Sequence, residues 1–563
     1  MDTQRIIAVI VFSFSAVLLW DAWQKHNQPK PPPAAIPTLP APGAGTPVPA
    51  PGATPAPTSG LGNAVERVGS VAIQPSVAGK VVTVRTDKFE VEINSQGGDI
   101  RRVILREHFS AIEKDRPLSL LQSTDGHYFV TQSGLLEGLP NHNSLYSTDA
   151  TSYELNPGQE KLEVRFVNRD TPGVEVTKIF TFRPGAYLID VAYQVKNETD
   201  NAITPMAYFQ FVRDGNPPDG EAAHSNPFTG VVTYTGPAVY TNEKKFIKVA
   251  FSDIDKGKQD YPKKATDGWL AMVQHYFVVA WLPKQGVERE YFTRKVSDKL
   301  YGSGVIVSAG QIAASQTGTI DVPLYVGPQE QDKLKELAPG LDLVVDYGWL
   351  TVIAVPLFWL LKFIHGFVGN WGWAIIVMTI LIKMVFFPLN QKAGKSMAHM
   401  KSMAPRIEQL RQRYGDDRTK LNQAMMELYR TEKINPLGGC LPIVVQIPVF
   451  IALYWVLLAA IELRHTPWLG WIQDLSAPDP LYILPLIMAV SMFIQTKLNP
   501  PPPDPVQAKV MMIMPIVFSI FFFFFPAGLV LYWTVQNILG IVQQWLINKS
   551  VEKHVKSRAV SKR

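Results

Sequence analysis

Five long apolar segments after residue 370 most constrain how this chain can fold. Each is close to the roughly 20 residues that a helix needs to cross the roughly 30 Å hydrocarbon layer of a bilayer. The sequence before residue 340 is mixed and polar, so the two halves differ in kind. We therefore predict a membrane protein that carries a large polar domain. The apolar segments are 371–389, 437–461, 481–496, 510–525 and 527–547.

The N-terminal 60 residues contain a further apolar run and a spacer. Residues 6–20 are apolar, follow Arg5, and are not closely followed by a small-x-small cleavage site. Residues 1–24 are therefore predicted to be an uncleaved signal-anchor transmembrane helix, with a cleaved signal peptide as the alternative. Residues 25–60 form a Pro/Ala-rich linker, because 12 of the 32 residues in 29–60 are proline and such a stretch favours extended conformations.

Residues 61–340 show the period of β-strands. In 89–93, 162–166 and 189–195 apolar residues alternate with polar ones, and Gly, Pro, Asn and Asp separate many such runs. This pattern indicates one large all-β sandwich domain. We find no phosphate loop, nucleophile elbow or metal-ligand cluster in its sequence, and the chain has a single cysteine. A disulfide framework and a cysteine-based metal site are therefore excluded, and we expect no cofactor and no metal.

The distribution of basic residues predicts the topology. The segment 391–434 holds ten Lys and Arg residues and the tail 549–563 holds six, whereas 463–480 holds one. The positive-inside rule places the first two in the cytoplasm. One crossing at 371–389 then places the β domain outside and the N-terminus inside, which makes six spans. A seventh crossing by the apolar segment 341–368 would reverse this, so we predict that it is an interfacial amphipathic helix.

The segment 391–434 is predicted to be a basic cytoplasmic helical hairpin. Its apolar residues recur at steps of three and four, and Gly415 begins the break between the two helices. The hairpin could simply pack its two apolar faces together. Alternatively, its methionines offer an adaptable surface for hydrophobic segments, and its basic exterior could contact ribosomal RNA phosphates. The residues selected here are Met397, Met400, Arg406, Arg411 and Arg413.

Polar residues inside the apolar segments form the candidate site. Lys383 lies six residues, about 9 Å, from the cytosolic end of its predicted span. A lysine there either extends its ammonium to the interface or serves a function within the membrane. Thr379 lies one turn away on the same face, Gln446 lies in the next span, and Gln536 lies near Trp533 in the last. Together they predict a water-containing cavity within the bilayer, although each alone is more typical of helix–helix contacts.

Three motifs are similar to those of a known family. They are NPLGGC at 435–440, DLSAPDP at 474–480 and FPAGLVLYW at 525–533. With them, nearly the whole chain resembles the YidC/Oxa/Alb insertases, in the Gram-negative form that has a large periplasmic domain. The resemblance implies a multi-domain α-helical membrane protein of six helices: the N-terminal anchor and a five-span insertase core at 369–548. It also implies that the β domain is a supersandwich like that of galactose mutarotases.

The resemblance further implies a function in the inner membrane, with both termini cytoplasmic and the β domain periplasmic. The family inserts and folds nascent membrane proteins through a hydrophilic groove, alone or with the Sec translocon, and is not enzymatic. The ribosome or the signal-recognition machinery would meet the basic hairpin and tail. In this family the groove usually carries an arginine where this chain has Lys383, and a tyrosine where it has Trp533, while Thr379 and Gln446 match. Family members pass substrate helices along the third and fifth spans, which here gives Ile447, Pro448, Phe450 and Phe521.

Other functions and roles remain as alternatives. Ile447, Pro448, Phe450 and Phe521 could instead be lipid-facing packing residues. A solute transporter would show inverted repeats and paired intramembrane charges, and the sequence shows neither. A membrane hydrolase would need a base near Cys440, and no neighbouring span contains a histidine. The chain has no G-x-x-x-x-G-K-[ST] motif, so no ATP site is expected.

Overall fold

The computed structural model describes residues 67–68, 79–110, 113, 115–124, 126–218, 233–415, 417–432, 441–498 and 505–560. The predicted anchor at 1–24, the linker at 25–60 and the first motif at 435–440 lie outside these residues.

The first half of the described chain is built almost entirely from strands, as its alternating pattern predicted. The apolar members of each alternation, such as Val91, Val164 and Val191, are fully buried, while their neighbours reach the surface. In chain order the strands are β1 Val81–Arg85, β2 Phe89–Asn94, β3 Asp99–Phe109, β4 Pro117–Thr124, β5 His127–Leu135, β6 Ser152–Glu154, β7 Leu162–Asn168, β8 Val174–Phe182, β9 Leu188–Asn197, β10 Met206–Asp214, β11 Gly236–Thr241, β12 Lys245–Lys248, β13 Lys264–Ala265, β14 Trp269–Val273, β15 Phe277–Trp281, β16 Arg289–Ser297, β17 Leu300–Ser308, β18 Thr317–Asp321 and β19 Leu324–Pro328.

These strands form two large sheets. One has ten strands in the order β13-β16-β17-β10-β5-β4-β3-β2-β1-β6, and the other has nine in the order β12-β11-β14-β15-β19-β9-β8-β7, with β18 paired to β9. Neighbours are antiparallel except β1 and β6. Aromatic residues such as Trp281, which packs its ring 5.0 Å from that of Phe209, fill the space between the sheets. The prediction of an all-β sandwich is confirmed at this level.

Helices make up the second half. In chain order they are α1 Phe251–Asp255, α2 Gln331–Leu337, α3 Thr351–Val368, α4 Trp371–Val385, α5 Phe387–Ser402, α6 Ala404–Tyr414, α7 Arg418–Thr431, α8 Leu441–Ala459, α9 Ile483–Leu498, α10 Pro505–Phe522 and α11 Ala527–Val560. Short 3₁₀ turns occupy Leu341–Val344, Gly348–Leu350 and Ile461–Leu463.

Helix length and apolarity identify few spans by themselves. Among the described residues, Gly348–Val368 is the one continuous helix long and apolar enough to cross a membrane, and the bent pair α4 and α5 is a second candidate. Shorter apolar helices cover Val444–Ala459, Ile483–Leu498 and Lys509–Phe522. The six-span topology and the interfacial position of 341–368 therefore stay predictions.

The structure differs from the sequence prediction where the first span ends. Within the predicted span 371–389, α4 ends at Val385 and the chain bends by 67° into α5. Lys383 lies two residues, about 3 Å, from the end of α4, and its distance of about 9 Å from the cytosolic end of the span stays a prediction. The hairpin also contains three helices instead of two, because the chain breaks at Met403 as well as near Gly415.

The β domain contacts the helices through a small number of specific interactions. Arg464, in the connection between α8 and α9, donates a 2.6 Å hydrogen bond to the carbonyl of Phe109 at the end of β3. Its guanidinium also lies 5.3 Å from the ring centre of Phe277. His275 Nε2 lies 3.0 Å from the carbonyl oxygen of Leu458. These contacts hold the sandwich against the same end of the helical region at which α8 ends.

Candidate functional site

Lys383 points from the last turn of α4 toward α11 and α9. A Cβ atom placed on Gly540 of α11 would lie 3.6 Å from Lys383 Nζ and 3.3 Å from Gln495 Nε2 of α9. The lack of a side chain at Gly540 thus leaves the room that both polar groups occupy. No acidic partner lies within ion-pair distance of Lys383 in the described part of the chain. An ammonium without a counter-charge requires water or an incoming anion nearby.

One face of α11 carries polar groups with unused hydrogen-bonding capacity. Trp533, Gln536, Gly540 and Gln543 are spaced by three, four and three residues, so they lie along one side of the helix. Trp533 Nε1, Gln536 Oε1 and Gln543 Nε2 are buried and have no hydrogen-bond partner among the residues described. Buried polar atoms are normally paired, and unpaired ones mark sites of water or ligand. This face, with Lys383 opposite Gly540, is the candidate groove face.

Two further predicted groove residues are placed differently. Thr379 is fully buried, and its hydroxyl donates a 2.7 Å hydrogen bond to the Ile375 carbonyl one turn earlier in α4. Its side chain therefore supports the helix and does not offer its proton to a cavity. Gln446 of α8 is half-buried. The contact of α8 with α11 next to Trp533 is made by Phe450, whose ring centre lies 6.2 Å from that of Tyr532.

The four predicted substrate-contact residues fall into two environments. Ile447 of α8 and Phe521 of α10 are exposed by 47% and 40%, so both present apolar surface. Phe450 instead packs inward, with its ring 4.5 Å from that of Trp533 and nearly perpendicular to it. Pro448 is half-buried inside α8. Phe450 therefore contacts the groove face, whereas Ile447 and Phe521 lie on the exposed surface of the helical region.

The predicted hairpin residues are partly engaged. Met397 and Met400 of α5 are half-buried, and α5 packs on α11, where a Cβ atom on Gly394 would lie 2.7 Å from Ile547. Arg406 pairs with Glu432 across the hairpin, and Arg411 pairs with Glu408. Arg413 stacks over Tyr414 at 5.9 Å. Two of the three selected arginines are thus partly neutralised by neighbouring carboxylates.

Two of the family-like motifs close the end of the helical region that faces the β domain. In the DLSAPDP motif, the carbonyls of Leu475 and Ala477 accept hydrogen bonds of 2.9 and 2.8 Å from the backbone of Gly528 and Ala527 in the FPAG motif. Asp479 accepts bonds from the backbone N–H of Leu484 and from Trp471 Nε1. The two motifs are thus joined to each other through their backbones.

Ionisable groups in this outer region are perturbed by their surroundings. Burial raises the pKa of Asp474, but hydrogen bonds from His465 and Ser476 outweigh it and hold that pKa below its usual value. Burial raises the pKa of Glu462 to about 7, although Lys362 opposes the shift. The nearby carboxylates of Glu330 and Asp332 add to it, and Asp332 forms an ion pair with Lys362.

Sequence reasoning missed three members of this arrangement. Gln495, Gly540 and Gln543 were not selected, because one glutamine or glycine in an apolar helix is unremarkable. The signal available was the spacing from Trp533 along α11, which places Gly540 and Gln543 on the same side. Nothing in the sequence places Gln495 of α9 beside Lys383, since that proximity depends on how the helices pack.

The arrangement defines a protein with a large β domain, a region of apolar helices and a polar face inside that helical region. Two family profiles match the chain: one described as the YidC periplasmic domain at residues 81–360, and one described as the 60Kd inner membrane protein at 363–554. Curated relatives named membrane protein insertase YidC are 53% identical over 555 residues in Aromatoleum aromaticum and 49% identical over 563 residues in Nitrosospira multiformis, each covering 98% of both chains.

A solved structure of an active YidC insertase covers 82% of this chain and 94% of its own, at 18% identity and a TM-score of 0.38. The family matches and the full-length relatives settle the assignment: the chain belongs to the YidC family of membrane protein insertases. It is an inner-membrane protein with a periplasmic domain, it acts on nascent membrane proteins in the bilayer, and its family is not enzymatic.

Proposed function

We propose that this insertase and chaperone receives nascent inner-membrane proteins in a hydrophilic groove between α4, α8, α9 and α11. The observation that carries the proposal is Lys383, an ammonium without an acidic partner among the described residues, which lies opposite Gly540 on the side of α11 that carries the unpaired polar atoms. A charge in a low-dielectric region is stabilised by water or by an opposite charge. The groove therefore attracts a short acidic segment and keeps it hydrated.

The hydrophobic part of the substrate then moves into lipid beside α8 and α10. Ile447 and Phe521 offer exposed apolar surface there, and Phe450 connects that surface to Trp533. Transfer of apolar surface out of water is favourable by roughly 25 cal/mol per Å². Insertion of a hydrophobic helix is therefore favourable in free energy without ATP, provided that its polar end stays hydrated. The plug formed by the two motifs keeps the groove closed on the outer side.

The topology that suits this function has six spans with both termini in the cytoplasm. Helix α3 then lies along the outer surface of the membrane, with Ala354, Phe358 and Leu361 buried against the protein. Its opposite side exposes Trp359 and Phe367 to the lipid interface, where aromatic rings are favoured. The β domain, as a supersandwich, stays on the periplasmic side.

Partners follow from the same topology. The basic hairpin and the tail, whose backbone continues α11 to Val560, face the ribosome or the signal-recognition machinery. Such contacts with RNA phosphates or acidic proteins weaken as salt increases. The insertase acts alone or beside the Sec translocon.

The test replaces Lys383 in the full-length protein reconstituted into liposomes. Two substrates are compared, one with an Asp-containing translocated tail and one with Asn at the same positions. Lys383→Ala is expected to slow insertion of the acidic substrate at least tenfold and to leave the neutral one within twofold, while Lys383→Arg retains both. Lys497→Ala, an exposed lysine at the end of α9, is the matched control.

Crosslinking completes the experiment. A photoreactive residue at position 450 or 521 should crosslink to the hydrophobic segment of a ribosome-stalled membrane protein. Normal insertion of the acidic substrate by Lys383→Ala would refute the electrostatic role, and failure of both crosslinks would refute the exit path.

A further inference from the structure

A cleft of about 310 Å³ on the β domain concentrates positive charge away from the groove. It lies across β1 to β4 on the ten-stranded sheet. Three of its lining residues are arginines and one is a glutamate, so the lining has an excess of two positive charges. The lining residues that matter here are Arg101, Arg102, Arg116, Glu92, Gln122 and Ser123.

The three arginines differ in how far they are already paired. Arg102 forms a 3.1 Å ion pair with Glu92, and Arg116 forms a loose, exposed pair with Glu113. Arg101 is only 11% exposed, and its closest carboxylate is Asp99 at 3.9 Å. Its buried Nε atom has no hydrogen-bond partner within the part of the chain that the structure describes. Each of the three arginines thus has one carboxylate within 4 Å, and the pairs of Arg101 and Arg116, at 3.9 and 3.5 Å, are long enough for a ligand carboxylate to compete with them.

The size and chemistry of the cleft select the ligand. Its volume is at the lower end of the range of about 300–1,000 Å³ of ligand pockets, which suits a few residues of peptide and not a folded domain. Arginine forks match carboxylates in bidentate geometry, and Gln122 and Ser123 add neutral hydrogen-bonding groups. Val81, which is 51% exposed at the rim, offers apolar contact. The Glu92 carboxylate disfavours a doubly charged phosphate more than a singly charged side chain.

We propose that this arginine cleft binds Asp- or Glu-containing segments of substrate proteins after they have reached the outer side of the membrane. The proposal rests on the proposed function, because it needs acidic segments to be delivered to the β domain. The cleft then acts as an acceptor: it holds the translocated segment by its carboxylates and disfavours its return through the groove. The contacts are exposed enough to release the segment as salt or folding competes for it.

Binding is tested with the full-length protein in nanodiscs of zwitterionic lipid. The probes are a fluorescent 12-residue peptide that contains four Asp residues and the same peptide with Asn. The acidic peptide should bind more tightly, and Arg101→Gln or Arg116→Gln should each weaken it at least fivefold. Arg116→Gln guards against misfolding, because that side chain is 63% exposed. Arg165→Gln, an exposed and ion-paired arginine of β7, is the matched control and should change nothing.

Three results would overturn the proposal. The first is unchanged acidic-peptide binding in both arginine variants. The second is equal displacement by inorganic phosphate or by anionic-lipid vesicles, which would make the cleft a general oxyanion or headgroup site. The third is loss of peptide binding in Lys383→Ala with no loss in the arginine variants, which would place the peptide in the groove. If Lys383→Ala loses insertion but keeps peptide binding, both proposals are supported. If Lys383→Ala inserts the substrate normally while the arginine variants lose peptide binding, only the groove mechanism is refuted.

Discussion

Arg464 joins the β domain to the helical region, and its removal gives a sharply defined prediction. In Arg464→Ala the carbonyl of Phe109 loses a charge-assisted hydrogen bond of 2.6 Å. A hydrogen bond to a charged group contributes about 1.5–3 kcal/mol. The guanidinium also leaves the face of Phe277, 5.3 Å away, and such a cation–π contact at an exposed site contributes about 0.5–1 kcal/mol. The contact between the β domain and the helical region, called the joint below, should therefore weaken by about 2–4 kcal/mol. Each of the two parts should keep its own core.

Native-state hydrogen exchange measures this effect by region. A loss of 2 kcal/mol corresponds to roughly 30-fold faster exchange from a local opening. Amides near Phe109 and in the segment 461–475 should show this acceleration, and the centres of β9 and α11 should not. Arg464→Lys should fall between, because it keeps the charge and loses the planar fork. Arg165→Ala is the control for loss of an exposed arginine. Unchanged exchange at the joint, or uniform acceleration across the β domain, would refute the reasoning.

Two further predictions concern the outer region and the start of α4. Glu462 keeps its proton in the folded state up to about pH 7, whereas its ordinary pKa is 4.5. Unfolding therefore releases a proton between these two pH values. The free energy of unfolding consequently falls as the pH rises through that window. The free energy of unfolding of Glu462→Gln, measured with denaturant, should therefore equal that of the wild type at pH 4 and exceed it by up to about 3 kcal/mol at pH 8. An identical pH dependence of the two proteins would contradict this. Gly372→Ala should destabilise by about 1–3 kcal/mol in thermal unfolding, because its Cβ would lie 2.2 Å from the Trp468 ring, whereas Gly366→Ala in α3 meets no atom within 4 Å and should be neutral or stabilising. Equal effects of the two alanines would contradict the packing reason.

The alternating strands of the β domain could be predicted because their signal is local. Burial of every second residue, as at Val91 and Val191, follows from the geometry of a strand and leaves a visible pattern in the sequence. The pairing order was not predictable, because β1 lies beside β6 and β10 beside β17 through contacts between distant residues. Such contacts depend on the shapes of both partners, which a one-dimensional pattern does not contain.

The candidate groove was predicted in part for the same reason. Lys383 and Gln536 were selected because polar groups in apolar segments are conspicuous, and Trp533 was selected through the family resemblance. The end of α4 at Val385 was missed, since the apolar run continues past the bend and gives no local signal. Thr379 was expected in the cavity, but its hydroxyl bonds to Ile375 within its own helix.

Sequence by itself determined the character of each half: period-two burial gives the sandwich, long apolar segments give the membrane helices, and the motifs give the family. Tertiary structure alone decided which polar groups meet. It brought Gln495 and Lys383 to Gly540, paired the two outer motifs through their backbones, and gathered three arginines in one cleft. Periodicity reflects the conformation of one segment, whereas a site requires side chains from several segments at distances of a few ångströms, which only packing fixes.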